Sequence, residues 1–364
     1  MDVILPTEAD CPSWFQLNPE ATGYFRSGYD ENQFQNLIDH GWEHLSPVNQ
    51  TVVLDDWYAL VLDGSAPAAK ALWAIARIAN SLSPESTLAA VEIVKGIGAT
   101  LPPEFVGACA HYVQQVFGDR ARSLGWISSS IEDPRQRSLR GSLVLFVAVE
   151  GQDQTLQIQA RELAFKWVAD HSSVDPEVSG SVLIVAAHGG DKELFDRYLG
   201  ALRSADSPRE KRLLLLALGS FQDASLEERA ENIFLNDTVN FRQWMVAMTA
   251  SPARPEFAAK RLQFVKAHID AILESQSADH EDRNERLMEL PSVAEGACDE
   301  AIGNDIAGFF RPLLAAVSGG EASLANVLTG ISACSRRREA QASNLRDYLT
   351  AAAHTAAAHS NDDK

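Results

Sequence analysis

Positive charge is in short supply: 31 Lys and Arg stand against 50 Asp and Glu, a formal net charge of −19 at pH 7. So acidic a chain has no cationic footprint for a phosphate backbone, and anionic membrane surfaces repel it on average. Neither nucleic acid nor membrane is an expected partner; cationic or neutral ones fit better. Cysteine is scarce. Cys11, Cys109, Cys298 and Cys334 are far apart and form no C-x-x-C pair, so neither a thiolate metal clamp nor the staples of a small domain are indicated. They read as buried thiols. No uninterrupted apolar run approaches the ~20 residues of a membrane span, and the opening Met-Asp-Val-Ile-Leu-Pro lacks the basic start of a secretory signal. A soluble chain without an address follows, cytoplasmic by default, secreted or periplasmic if a signal lies upstream.

Catalytic motifs are missing as well. There is no G-x-S-x-G elbow, no phosphate-binding G-x-x-x-x-G-K-(S/T) loop and no G-x-G-x-x-G turn. A zinc peptidase needs two histidines one helical turn apart around a water-activating glutamate, H-E-x-x-H. Of the nine histidines only His280 precedes a glutamate, and four residues later stands Asn284. That stretch reads as a charged linker or helix start. His354 and His359 are five apart, off one helical face, and His188-Gly189-Gly190-Asp191 reads as a helix end capped by glycine.

What is present is helical grammar. Phe34, Leu37, Ile38 and Trp42 recur at helical spacing, and Val53, Leu54, Trp57, Leu60 and Val61 repeat it. Ser46-Pro47, Ser83-Pro84, Asp133-Pro134, Asp175-Pro176 and Ser207-Pro208 each put a capping oxygen before a first-turn proline. Reciprocal capping boxes are expected for Ser207 with Glu210, Ser225 with Glu228 and Asp133 with Gln136. The spacing predicts some fifteen helices with short links and no βαβ alternation. The fold class is all-α, a superhelical stack of antiparallel helix pairs of the HEAT or armadillo kind, with a β-hairpin at the N-terminus. That hairpin is read from Trp14-Phe15-Gln16-Leu17 and Tyr24-Phe25-Arg26-Ser27-Gly28-Tyr29 around Asn18-Pro19-Glu20-Ala21-Thr22-Gly23. Residues 1–30 are taken as the hairpin remnant of a preceding β-sandwich or junction, 31–350 as the helical domain and 351–364 as a tail that frays at its end.

In an acidic chain, basic spots are where a carboxylate would bind. Arg135, Arg137 and Arg140 cluster at one helix start; Arg203, Arg209, Lys211 and Arg212 surround another; Arg336, Arg337 and Arg338 form a run. Arg137 and Arg140, three apart and so on a shared face, are the candidate peptide-binding residues, with salt bridges to neighbouring helices as the structural alternative.

The N-terminal segment is also the most specific. Trp14 through Asp30 resembles the junction W-x-x-x-N-x-x-x-x-G-Y-(F/Y)-R-V-x-Y-D of the zinc aminopeptidase N family, which includes the endoplasmic-reticulum aminopeptidases. Trp14, Asn18, Gly23, Tyr24, Arg26, Tyr29 and Asp30 carry the match. Leu45-Ser46-Pro47 through Trp57, Ser138-Leu139-Arg140-Gly141-Ser142-Leu143 and Leu215-Leu216-Ala217-Leu218-Gly219 look like later pieces of the same C-terminal domain. Ser27 stands where valine is usual and Gln50 where arginine is common. Ser220 stands where antigen-trimming members carry an arginine that contacts peptide C-termini.

The resemblance implies a bowl-shaped, substrate-enclosing and regulatory C-terminal domain of a zinc metallo-aminopeptidase that removes N-terminal residues from peptides. No catalytic or metal-binding residue is expected here, because H-E-x-x-H and G-x-M-E-N are absent; the zinc would sit in the catalytic domain of a parent enzyme. The implied partners are that domain, a β-sandwich and the peptide substrate. Met1 directly before a segment that begins mid-architecture suggests excision from a longer chain. The alternative is a free-standing helical-repeat scaffold that binds peptides or another protein.

Overall fold

A computed structural model describes residues 12–128, 132–236, 239–249, 255–274 and 283–362. Among them are sixteen α-helices and no strand. In chain order these are α1 (Glu31–Asn36), α2 (Pro47–Asp63), α3 (Ala68–Ile78), α4 (Pro84–Gly98), α5 (Val106–Leu124), α6 (Pro134–Val149), α7 (Gln154–Ala169) and α8 (Pro176–His188). There follow α9 (Lys192–Ser204), α10 (Pro208–Leu218), α11 (Ala224–Asn236), α12 (Phe241–Met248), α13 (Pro255–Glu274), α14 (Arg283–Glu289), α15 (Glu300–Leu314) and α16 (Gly320–Asp362).

Local chemistry sets the helix starts. Ser46, Ser83 and Ser207 accept from backbone N–H groups three residues on, each ahead of a first-turn proline. Asp133 and Asp175 cap α6 and α8 by accepting from Arg135 and Glu177. Of the three expected boxes none closes reciprocally: Ser207 and Asp133 cap from one side only. Ser225 lies inside α11, where Asp223 accepts from the N–H groups of Ser225 and Leu226. The carboxylate two residues earlier outcompetes the hydroxyl as acceptor. Reciprocal boxes form instead at Asp30 with Gln33 and at Asn240 with Gln243. As expected, α8 ends at His188, with Gly189 as C-cap, before Asp191 caps α9.

The core follows the apolar spacing. Phe34, Leu37, Ile38 and Trp42 are all buried, as are Val53, Leu54, Trp57 and Val61. Phe34 stacks on Trp57 with centroids 3.8 Å apart. Burying each such side chain stabilises the fold by roughly 1.5–3 kcal/mol. Helices α2, α4, α6, α8, α10 and α12 pack each on the next and form one layer. They run parallel, because their N-terminal halves meet. Ser86 at the start of α4 donates to Gln50 in α2, Ser181 in α8 to the Gly141 carbonyl in α6, and Arg209 in α10 to the Pro176 carbonyl in α8. The odd-numbered helices cover them, α5 on α6, α7 on α8 and α9 on α10. Gln114 in α5 reaches the Gly151 carbonyl just past α6, as antiparallel neighbours must.

The last helix joins both ends of this row. α16 packs on α14 and α15 and also on α3 and α5. Gln341 accepts from the Ala68 N–H at 2.9 Å and donates to the Ala66 carbonyl at 3.0 Å, and Arg338 donates to the Thr100 carbonyl. Residues 351–362 of the tail continue α16 as helical backbone; Asp363 and Lys364, at the end expected to fray, lie outside the described residues. His354 and His359 fall outside the described side chains, and Cys11 and His280-Glu281 outside the described residues.

Two expectations are corrected. Cys298 and Cys334 are a disulfide, Cα atoms 4.7 Å apart, rather than buried thiols; their separation of 36 residues hides a pairing made by packing α16 beside the start of α15. Cys109 is half-buried and not disulfide-bonded. The N-terminal hairpin is not formed: among the described residues no strand exists, and the segment turns through a 3-10 turn at Pro19–Ala21. Asn18, Glu20 and Ala21 all have positive φ. The backbone groups a ladder would pair are taken by side chains instead, as the junction shows.

Candidate functional site

The junction residues form a compact strap on α2. Asn18 accepts from the Gly23 N–H at 2.6 Å and donates to the Gly23 and Phe25 carbonyls, which pins the turn. A side chain at Gly23 would meet both Phe25 and Asn18. Arg26 pairs with the buried Asp56, which also accepts the Ser27 N–H at 3.0 Å. The Tyr29 hydroxyl accepts the Leu17 N–H, and Asp30 caps α1. Trp14 lies on Gly41 and stacks with His44. Glu20 closes the strap, its carboxylate accepting from Ser46 and Asn49 at the head of α2. Six of the seven motif residues thus hold the strap and its entry into α1. Tyr24, the seventh, is fully exposed, as is much of the adjoining Phe25. Glu20 and Asn49 carry no signal in the sequence, and Asp56 reads there only as half of an acid pair with Asp55 on an exposed face, whereas it is buried; each works across about thirty positions, where no spacing rule reaches.

The two candidate arginines part company. Arg140 is buried, its guanidinium donating to Glu132 and to the Leu124 and Gly125 carbonyls at the end of α5. It is consumed by its own fold. Among the described residues Arg137 makes no ion pair, and its Nε is buried without a hydrogen-bond partner. It lines a groove of about 420 Å³ between α6 and α8, with Pro134, Ser138, Ser142, Glu177 and Ser181. Gly141 keeps the groove floor low, since a Cβ there would sit 3.4 Å from the Glu177 carbonyl. Of the remaining arginines, Arg135 pairs with Asp133, and Arg209 with the Pro176 carbonyl. The departures from the family pattern are structural too. Gln50 bridges Trp42 and Ser86, and Ser220 donates to the Leu216 carbonyl.

A smaller cavity of about 40 Å³ lies among α10, α11, α12 and α13, lined by Glu227, Glu231, Met248 and Lys260. Lys260 neutralises Glu227 at 2.8 Å. Burial, and then the charges of Glu227 and Glu228, push the Glu231 carboxyl up to about 7. The folded chain therefore holds a proton there that the unfolded chain has lost. Stability contributed at this site falls as pH rises from the ordinary carboxylate range to about 7. Glu231→Gln is expected to raise the thermal midpoint at pH 8 and to flatten its decline from pH 5. An unchanged decline would show that other groups set it.

Among the described residues no three His, Cys, Asp or Glu side chains converge to hold a metal ion. Nor, among them, is any helix long and apolar enough to cross a membrane.

Comparison with known proteins matches these features to one group. The chain is 27% identical over 237 residues to Aminopeptidase M1 of Arabidopsis thaliana, covering 62% of this chain and 27% of that protein. It is 20% identical over 271 residues to the alanine/arginine aminopeptidase of Saccharomyces cerevisiae, covering 71% and 30%. It is 24% identical over 259 residues to the thyrotropin-releasing hormone-degrading ectoenzyme of Rattus norvegicus, covering 68% and 24%. The chain thus spans about a quarter of the length of the relatives it matches. A model of the ERAP1-like C-terminal domain fits residues 14–333, a stretch that holds both the strap and the α6–α8 groove, and the chain belongs to that family.

Proposed function

We propose that this chain is the substrate-enclosing and regulatory C-terminal domain of a zinc metallo-aminopeptidase that removes N-terminal residues from peptides. The observation that carries the reading is the family match over residues 14–333 in a chain that covers about a quarter of its aminopeptidase relatives. In this reading residues 31–350 are a superhelical domain, whose row of parallel helices forms the wall of a peptide chamber. Residues 1–30 are the junction to a preceding β-sandwich, and 351–364 are a tail. The exposed Tyr24 and Phe25, adjoining in the chain, support a partner surface at the junction. Zinc and the catalytic groups belong to the partner domain, and this domain acts by excluding water and limiting access. In this reading Arg137, which lines the α6–α8 groove, receives a peptide carboxylate.

A chimaera tests this. The chain replaces the corresponding quarter of the Arabidopsis aminopeptidase, and trimming of ten-residue peptides is compared with hydrolysis of aminoacyl anilides. The expected result is peptide trimming at least tenfold above that of the catalytic portion alone, with anilide hydrolysis changed much less. Equal rates on both substrates with and without the chain would defeat the proposal.

A further inference from the structure

The α6–α8 groove carries one charge of each sign. Arg137 stands on its α6 side and Glu177 on its α8 side, and among the described residues these are the two charged side chains that line it. They do not pair with each other: among the described residues neither makes an ion pair or a side-chain hydrogen bond. Glu177 is exposed, while Arg137 is half-buried with its Nε cut off from solvent and without an acceptor. The other charges at these two helix starts are engaged elsewhere. Asp133 pairs with Arg135, Glu132 pairs with Arg140, Asp175 caps α8 while accepting from Ser128, and Arg209 donates to the Pro176 carbonyl. The groove is therefore neutral as a whole, with a cation on one wall and an anion on the other.

The space between the walls suits a small molecule. Its volume of about 420 Å³ falls in the ordinary range for ligand pockets. Gly141 keeps it open, since a Cβ there would come 3.4 Å from the Glu177 carbonyl and 3.8 Å from the Ser181 hydroxyl. Ser138, Ser142 and Ser181 line the same surface with hydroxyls that either donate or accept. Pro134 and Leu145 complete the lining with apolar surface.

We propose that this groove binds a free α-amino acid, its carboxylate on Arg137 and its ammonium on Glu177. A guanidinium takes a carboxylate through two parallel hydrogen bonds, and an ammonium donates to a carboxylate at about 2.7–2.9 Å. Both ligand charges sit on one carbon, so the ligand stays within the width of a packed helix pair, about 8–10 Å. A purely acidic or purely basic ligand would leave one wall uncompensated. The C-terminus of a peptide meets only half of the site, because its α-nitrogen is an uncharged amide from which Glu177 gains no ion pair. Pro134 and Leu145 favour an aliphatic side chain on the ligand. The inference rests on the proposed pairing of Arg137 with a carboxylate and adds the ammonium half. In that reading the reaction releases free amino acids, so the occupant is a product that competes with peptide for Arg137.

The test titrates the full chain at pH 7 with L-leucine, N-acetyl-leucine and leucinamide, followed by saturation-transfer difference NMR. Leucine is expected to bind with a Kd of about 1 mM. The two blocked forms should each bind about fivefold more weakly, fivefold being the most that one exposed ion pair contributes. Arg137→Gln should weaken leucine and N-acetyl-leucine by about that factor and leave leucinamide unchanged. Glu177→Gln should weaken leucine and leucinamide and leave N-acetyl-leucine unchanged. Ser142→Phe keeps both charges and should block leucine by filling the groove, while the thermal midpoint holds. The inference is overturned if leucine fails to bind below about 10 mM. It is also overturned if the double variant Arg137→Gln/Glu177→Gln binds leucine as the parent does, or if N-acetyl-leucine binds as tightly as leucine. That last result would leave carboxylate capture at Arg137 standing, whereas failure of the chimaera would defeat the aminopeptidase reading and not this site.

Discussion

Reducing the Cys298–Cys334 disulfide is expected to lower the stability of the chain by about 4 kcal/mol. The bond closes a loop of 36 residues, and the chain-entropy relation for a loop of that length gives about this figure at 25 °C. Its position makes the full effect available. Cys298 is buried immediately ahead of Asp299, the N-cap of α15, and holds a positive φ of 47° that an L-residue adopts at a cost. Cys334 sits on α16 between its contacts with α15 and its contacts with α3 and α5. The bond therefore fixes the point from which α16 reaches back, through Arg338, Gln341, Leu345 and Leu349, to the first helices of the row. Urea unfolding with and without a phosphine reductant measures the effect. At an m-value of about 3 kcal/mol/M the midpoint should fall by more than 1 M. Replacing both cysteines by serine should reproduce the shift without reductant. An unchanged midpoint, or four alkylatable thiols in the untreated protein, would mean that the pair does not form.

How far the molecule could be read in advance depends on the range of each interaction. The Ser-Pro and Asp-Pro helix starts were legible because cap and capped N–H are two or three residues apart. The α2 core was legible because helical spacing is local, and Val53, Leu54, Trp57 and Val61 are buried as it required. The hairpin misled because alternating aromatics around a turn say nothing about a carboxylate thirty residues away. Asp56 takes the Ser27 N–H, and the Tyr29 hydroxyl takes that of Leu17. Every backbone group satisfied in this way is lost to a ladder. The disulfide was hidden for the same reason, its partners meeting only once α16 is packed. At the candidate site the face shared by Arg137 and Arg140 was readable, but not which of the two would be buried against the end of α5.

That distinction carries the second large effect. Arg140→Ala is expected to destabilise the chain by about 3–5 kcal/mol, the range for breaking a buried ion pair by removing one partner. The Glu132 side chain, only 10% exposed, would be left charged without its cation, and the Leu124 and Gly125 carbonyls would lose their donor in the same step. Arg140→Lys should recover little of this, because an ammonium is a point charge and cannot reach a carboxylate and two carbonyls from one planar frame. Arg137→Ala, one turn earlier, removes no ion pair and should change stability by less than about 0.5 kcal/mol. It should nevertheless weaken peptide binding. Urea unfolding of the three variants separates the roles by their pattern. A loss below 1 kcal/mol for Arg140→Ala would show that Glu132 finds another partner or is neutral, and would return Arg140 to the set of groups free to meet a ligand. A larger stability loss at Arg137 than at Arg140 would place the structural arginine at the groove, and Arg137 would no longer be the residue free to receive a carboxylate.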